Sequence, residues 1–294
     1  MKNQYKRSDI FRCTHESHQG FGNVVSAYHV LKEKGCYPQG CIYFKWKCRK
    51  LERGLPCPRS YEHVGRKCAH CADYYDEKIV KRPQLLLDEK EYQSFLKELR
   101  SFEIWLDDKK GRQVNCAGRL KTVKPRFIMN RYHDRTPVVF QGFLLEFEQG
   151  FINYTSFNDT FYALISTSQQ SRYKLSAEDK LEFQAILRLD RGRLILDRLR
   201  SIEIEEKNGN EPWTIAEAKR ALMFGKVIDY QYEKCLHCRH GFLIDVKESE
   251  FASNGFRRRK LLCLKGVSQP EYCLVQVKEK FFPVDSCQGG TSLK

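Results

Sequence analysis

Apolar and polar residues alternate in five runs along the middle of the chain, at residues 114–124, 138–148, 160–166, 181–189 and 194–205. A period of two places one side of each run on a core and the other on solvent, so five strands are predicted. Asp190-Arg191-Gly192-Arg193 separates the last two runs and predicts a hairpin turn. Ser176-Ala177-Glu178-Asp179 is read as a short helical turn before the fourth strand. Helical spacing occurs elsewhere. Asp88 and Glu91 form a capping-box pattern ahead of Tyr92, Phe95, Leu96 and Leu99, predicting a helix over 88–101. A short strand at 102–106 and a turn at 107–112 are expected to follow it. Thr214 and Glu217 form a second capping box, for a helix to about Phe224 that Gly225 ends. Residues 23–34 carry Val24, Ala27, Tyr28 and Leu31 at helical spacing, with Gly35 as the stop.

Cysteines sit outside this patterned middle. Of thirteen, only Cys116 lies inside it. Cys36, Cys41, Cys48, Cys57, Cys68 and Cys71 precede it, and Cys235, Cys238, Cys263 and Cys273 follow it. Each group holds a C-x-x-C pair, Cys68–Cys71 and Cys235–Cys238. That spacing lets two thiolates reach one tetrahedral metal from a tight turn. The expected sets are Cys48, Cys57, Cys68 and Cys71 around one zinc, and Cys235, Cys238, Cys263 and Cys273 around a second. Substitutes are Cys36, Cys41 or His63 at the first site and His237, His240 or Cys287 at the second. Residues 36–82 are turn-rich with little apolar periodicity, so this segment needs a metal as its folding nucleus. Cys13, His15 and His18 also fall close together, three donors without an obvious fourth.

Charge narrows the partners. The net charge is +15, which favours polyanions. Residues 45–67 hold eight Lys or Arg against Glu52 and Glu62, a local net of +6. Tyr43-Phe44-Lys45-Trp46-Lys47 interleaves aromatic faces with cations, as stacking on bases and neutralising phosphate require. Lys45, Trp46, Lys47 and Arg49 are therefore candidate nucleic-acid contacts. Phe256-Arg257-Arg258-Arg259-Lys260 is read as a basic loop, and Arg188, Arg191, Arg193, Arg198 and Arg200 as a second stripe. The polar start, Met1-Lys2-Asn3-Gln4-Tyr5-Lys6-Arg7, lacks the apolar stretch of a secretory signal. No run approaches the roughly 20 apolar residues that span a bilayer. The expectation is an intracellular, cytoplasmic protein, nuclear or nucleoid-associated placement remaining open, with no membrane partner. In a reducing compartment paired cysteines favour metal over disulfides.

The five strands with a helical element before the fourth, and with Gly118 and Gly142 inside the first two, resemble the OB-fold, a small Greek-key barrel. The resemblance implies a face for single-stranded nucleic acid among Lys121, Lys124, Arg126, Phe127, Arg131, Tyr132, Phe147, Tyr154 and Phe161. Strand alternation sends about half of these inward. Phe143, Leu145, Leu164, Phe183 and Leu187 are expected in the core. Residues 232–277, with two strand-like runs between the thiols, resemble a zinc ribbon, although Cys263 and Cys273 are not a C-x-x-C pair. Cys57-Pro58 resembles the Cys-Pro of ferredoxin-type sites, so an iron–sulfur cluster rivals zinc at the first group.

The expected fold is therefore α+β, mainly β. A central OB-like small β-barrel is flanked by two cysteine-rich metal-binding modules. The expected boundaries are residues 1–87 for a basic metal-binding module, 88–207 for a helix and barrel, 208–285 for a helix and zinc-ribbon-like module, and 286–294 for a flexible tail. No glycine-rich phosphate loop, G-x-S-x-G, H-E-x-x-H or zinc-deaminase signature occurs. The functional expectation is a non-enzymatic protein that binds DNA or RNA, with structural zinc. The alternatives are an iron–sulfur nucleic-acid-processing enzyme and a zinc-dependent protein-interaction scaffold.

Overall fold

The computed structural model describes residues 1–16, 18, 23–132, 135–209, 212–228, 233–236, 238, 240–248 and 259–273. It is mixed α+β and mainly β. It divides into two compact units. One comprises Lys2–Asp108 with Leu189–Arg193; the other comprises Met1, Lys109–Arg188 and the chain from Leu194 onward.

The N-terminal unit contains β1 (Phe11–Arg12), β2 (Val24–Val25), β3 (Cys41–Cys48), α1 (Arg49–Glu52), β4 (Tyr74–Lys81), β5 (Gln84–Leu85) and α2 (Glu89–Lys109). The expected capping box starts α2. The Glu91 amide donates to Asp88 Oδ1 at 2.8 Å, and the Asp88 amide donates to Glu91 Oε2 at 3.0 Å. The helix then runs 21 residues to Lys109, through the strand expected at 102–106 and into the turn expected at 107–112. Phe95, Leu99, Phe102 and Leu106 are all buried, one unbroken stripe at helical spacing. Phe102-Glu-Ile-Trp-Leu106 fits either period, and the turns preceding it decide for helix. Residues 23–34 differ in part: β2 occupies the start, and the coil begins at Ala27 and continues as a π-helical turn over His29–Glu33.

Residues 41–82 form an antiparallel ribbon where no periodic strands were expected. β3 and β4 pair over eight residues, from Cys41 opposite Lys81 to Cys48 opposite Tyr74. No residue from 41 to 82 is fully buried.

The C-terminal unit contains β6 (Gln113–Arg131), β7 (Val138–Ile152), β8 (Thr155–Phe157), β9 (Phe161–Ile165), α3 (Thr167–Tyr173), β10 (Lys180–Asp190), β11 (Arg193–Glu206), α4 (Ile215–Phe224), β12 (Lys226–Ile228), α5 (Glu233–Leu236), β13 (Gly241–Glu248) and β14 (Arg259–Cys263). One nine-stranded sheet runs β12-β14-β13-β6-β10-β11-β9-β7-β8 and is open at β12 and β8. β6 also pairs β7, so β6, β7, β9, β11 and β10 each find two partners within that set. Gly142 has φ +104°, and a Cβ there would run into the Ile165 carbonyl oxygen. Only glycine permits that approach of β7 to the end of β9. The β10–β11 turn has positive φ at Arg191 and Gly192, +50° and +80°, as a type I′ hairpin requires.

Two local expectations change here. The helix before the fourth strand is α3, capped by Ser166 and Gln169; residues 176–179 make a turn that is not helical, with Glu178 at φ +70°. Ser176 and Asp179 serve a different purpose. The fully buried Asp179 carboxylate accepts from the Ser176 amide at 2.9 Å, Lys207 Nζ at 2.6 Å, the Asn208 amide at 3.1 Å and the Gly209 amide at 3.0 Å. Burial pushes its carboxyl up, but Lys207 and the Ser176 and Gly209 amides outweigh that and hold it below the ordinary carboxylate value.

Phe143, Leu145, Phe183 and Leu187 are buried as expected. Leu164 is only half-buried, because β9 turns Phe161, Ala163 and Ile165 inward instead. Phe147 and Phe161, considered for the ligand face, stack on each other in the core at 4.8 Å between centroids. The compact units also fall differently from the expected boundaries. α2 belongs almost wholly with the N-terminal unit, and β13 pairs in parallel with the end of β6, Asp245 opposite Ile128. The cysteine-bearing C-terminal strands are thus part of the large sheet.

Candidate metal centres and an aromatic ribbon face

Cys48, Cys57, Cys68 and Cys71 line one cavity of about 60 Å³, walled by Leu51, Pro58, Tyr61, His63, Val64 and Tyr74. Cys48 ends β3, and its partner Tyr74 begins β4, fixing one corner. The Cys71 amide donates to the Cys68 carbonyl at 2.8 Å, closing the C-x-x-C turn. The backbone amides of Arg59 and Tyr61 donate to Cys57 and hold its thiol below its ordinary value. His63 reaches the same cavity, while Cys36 and Cys41 do not line it. Cys41 and Cys48 are seven residues apart on one strand, so their side chains leave opposite faces of the ribbon.

The second group is built differently. Cys235 lies on α5, is buried, and packs with Ile228 and Leu261, with Cys263 against them. Burial pushes the Cys235 thiol up, and the nearby Cys238, Cys263 and Cys273 thiols add to that shift. All four expected sulfurs therefore share one neighbourhood. The His240 amide donates to Cys238 Sγ at 3.4 Å, and Gly241 pairs with Cys263 across β13–β14. A Cβ on Gly241 would collide with the Cys235 carbonyl, so glycine lets the knuckle lie against the strand. His240 lines a separate open hollow with Trp213, Arg220 and Phe224. His237 and Cys287 lie outside the described residues.

Among the described residues, no three or more His, Cys, Asp or Glu side chains already stand arranged to hold a metal ion. The donor chemistry nevertheless fits one at each group. Four thiols per site are soft ligands suited to zinc or iron–sulfur and unsuited to magnesium or calcium. N–H···S bonds from Arg59, Tyr61 and His240 are oriented to stabilise thiolates.

One face of the ribbon sets its aromatics beside an acid and a cation, Asp76 opposite Trp46 and Lys78 opposite Phe44, while the other carries Tyr43 and Tyr75 with Lys45 and Lys47. Ile42, Phe44 and Trp46 share one face with Lys78 and Val80 of β4, and are 54, 60 and 49% exposed. Lys45 and Lys47 lie on the other face. Lys45 pairs with Glu16, and Lys47 pairs with Glu52 at 2.6 Å and Glu77 at 3.6 Å. Arg49 stacks over Tyr75 at 5.6 Å. Lys78 and Val80 were missed from sequence. Tyr74-Tyr75-Asp76-Glu77-Lys78-Ile79-Val80-Lys81 does not alternate apolar with polar residues, so no period of two marked them as a strand.

Other candidates scatter. Lys121 pairs with Glu148 at 3.6 Å, Lys124 sits over Phe242 at 5.8 Å, and Arg126 is half-buried within β6. Phe127 is a correction: it is 2% exposed and packs on Phe140 and Phe242, because β6 turns that position into the core. Arg131 and Tyr132 mark the exposed end of β6, where Tyr132 meets Arg135 at 5.5 Å. Arg259 and Lys260 belong to β14 rather than a loop, and Arg259 pairs with Asp245 at 3.1 Å. Arg257 and Arg258 lie outside the described residues. In the second stripe, Arg188 pairs with Asp197 and Arg193 with Asp190, so much of that charge is neutralised locally.

Comparison with protein-family models, curated proteins and solved structures finds no match for this chain. Among the described residues no helix is long and apolar enough to cross a membrane.

Proposed function

We propose that the chain is a nucleic-acid-binding protein that stacks unpaired bases on the aromatic face of the β3–β4 ribbon and uses its cysteine groups as structural zinc sites. The observation that carries this reading is the row Ile42, Phe44, Trp46, held in the open on a strand whose end opens into a thiol-lined cavity. Exposed aromatics at two-residue spacing lie about 7 Å apart along a strand, a distance that successive splayed bases can match. Lys78 sits directly across from Phe44, and the local net charge of +6 supplies the field that draws phosphate.

The C-terminal unit supports the same reading at one remove. Pairings β6–β7, β7–β9, β9–β11 and β10–β6, with β9 and β11 parallel and α3 between the third and fourth long strands, follow the order of an OB-like barrel. In this reading the metal contributes no chemistry beyond tetrahedral cross-linking. Cys48, Cys57, Cys68 and Cys71 would hold one ion, and Cys235, Cys238, Cys263 and Cys273 another.

Fluorescence anisotropy of labelled oligo(dT) and oligo(U) with the full chain is the test. Affinity should fall steeply between 50 and 200 mM salt, as counterion release requires (about tenfold or more). Phe44→Ala and Trp46→Ala should each weaken binding by roughly 5- to 150-fold, the effect of about 1–3 kcal/mol per stacked base. Absence of binding at low salt, or full affinity in the double variant, overturns the proposal.

A further inference from the structure

Three thiols and a histidine stand apart from both cysteine groups. Cys13 follows β1, Cys36 follows the π-helical turn, and Cys41 opens β3. Two ring contacts bring these segments together. Phe11 lies against Tyr37 at 5.0 Å, and His15 against Tyr43 at 4.4 Å. Phe11 and His15 lie two residues either side of Cys13, while Tyr37 follows Cys36 directly and Tyr43 lies two residues beyond Cys41. Cys13 and Cys36 are both buried. The Cys13 amide donates to the Asn23 carbonyl at 3.0 Å and the Asn23 amide to the His18 carbonyl at 3.1 Å, so the backbone holds His18 beside the Cys13 segment, while the Cys36 amide donates to the Val30 carbonyl on the π-helical turn at 3.0 Å. Cys41 leaves β3 on the face opposite Cys48, so it is directed away from the cavity that holds the other four thiols.

The histidine is identified by a hydrogen-bond chain that fixes its tautomer. His29 Nδ1 lies 2.9 Å from Glu33 Oε2, so that nitrogen carries the proton and donates to the carboxylate. His29 Nε2 is then an acceptor. It lies 3.1 Å from His18 Nε2, which must donate to it. His18 Nδ1 is left as a bare lone pair, and that atom is buried with no hydrogen-bond partner. A buried imidazole nitrogen with a lone pair and no donor is costly unless something binds it. A carboxylate–histidine–histidine chain behind it is the outer-shell support that metal-bound imidazoles have.

We propose that Cys13, Cys36, Cys41 and His18, through Nδ1, form a third zinc site, with His29 and Glu33 orienting the histidine. Three thiolates and one neutral imidazole are a usual structural zinc set. Loading releases the three thiol protons, and the site carries a net charge of −1. The assignment also accounts for the cysteines. Three serve this site and four serve each of the others, leaving Cys116, buried in β6, and Cys287.

The test is a metal count by native mass spectrometry of the full chain loaded with zinc. Cys36→Ser and His18→Ala should each hold one zinc fewer than wild type, whatever the total. Cys36→Ser combined with Cys68→Ser should hold one fewer than Cys68→Ser alone. His18→Cys, which keeps a donor, should retain the wild-type count even if His18→Ala folds poorly. His29→Ala leaves all four donors in place and should release one zinc to a competing chelator about 10- to 100-fold more readily. An unchanged count in Cys36→Ser, or a His18→Cys variant that loses the ion as His18→Ala does, overturns the site. These counts do not depend on nucleic-acid binding, so this inference and the proposed function fail separately.

Discussion

The two principal thiol groups have the same composition and opposite surroundings. Around Cys235 the chain is already packed: Ile228 and Leu261 touch it, and the neighbouring strands contribute Phe242, Ile244, Val246, Leu262 and Leu264 to a buried cluster with Phe127 and Met129. Around Cys48, Cys57, Cys68 and Cys71 there is no core at all, since nothing between residues 41 and 82 is fully buried. Under the proposed metal sites, the same ligand chemistry would add to an existing fold in one place and stand in for a core in the other. A group of thiols is a staple or a nucleus according to what surrounds it.

The largest expected effect breaks this comparison most directly. Stripping metal with a chelator should abolish amide-exchange protection across β3 and β4, because structural zinc contributes about 10–16 kcal/mol in small metal-nucleated folds. Protection in β13 and β14 should persist at chelator concentrations that open the ribbon. Hydrogen exchange read by mass spectrometry separates the two, and a ribbon that stays protected without metal contradicts the contrast.

Next in size is a change confined to the packed unit. Asp179→Ala removes the carboxylate that satisfies Lys207 and three backbone amides, and should cost about 3–5 kcal/mol in chemical denaturation. Its pH signature has a fixed sign. The carboxyl titrates lower in the fold than in the unfolded chain, so its contribution is complete above the ordinary carboxylate value. That contribution is lost as pH falls through the depressed one. Wild type should lose stability on acidification that Asp179→Asn never had; identical acid profiles would refute it.

The smallest effect sharpens the contrast at the backbone. Gly142 and Gly54 both have positive φ, +104° and +70°, yet a Cβ at Gly142 meets the Ile165 carbonyl while one at Gly54 meets nothing. Gly54→Ala should cost only the conformational term, about 1 kcal/mol. Gly142→Ala adds a backbone collision and should exceed it by roughly 1–3 kcal/mol. Equal losses in thermal melts would mean the two regions are equally packed.

Much of the packed unit is legible in the sequence because its strands have one wet face and one dry face. Val114 and Cys116 point inward and Gln113 and Asn115 outward, so the period of two is written in residue type. The ribbon is half-exposed on both faces, so Ile79 and Val80 carry no such record and β4 went unread. α3 was written in Ser166 and Gln169, but Ser176 and Asp179 offered the same spacing. Only the fold shows that the second pair ties down a loop. Among the candidate sites, the C-x-x-C pairs are local and readable. The approach of His18 to His29, eleven residues on and the first residue of the π-helical turn, is announced by no local pattern.

The tip of the β10–β11 hairpin has a consequence for the order in which this protein is made. Asn3 Nδ2 donates to the Gly192 carbonyl at 2.8 Å, and residues 189–193 belong to the same compact unit as residues 2–108. That unit is therefore unfinished when its own continuous stretch leaves the ribosome. Its last piece emerges 85 residues later, counting from Asp108 to Arg193. At ~5–20 residues per second, the N-terminal unit waits on the order of 4–17 s before the Gly192 carbonyl can meet Asn3. Over that interval its seven thiols, Cys13 to Cys71, are open to capture by metal before the fold around them is complete.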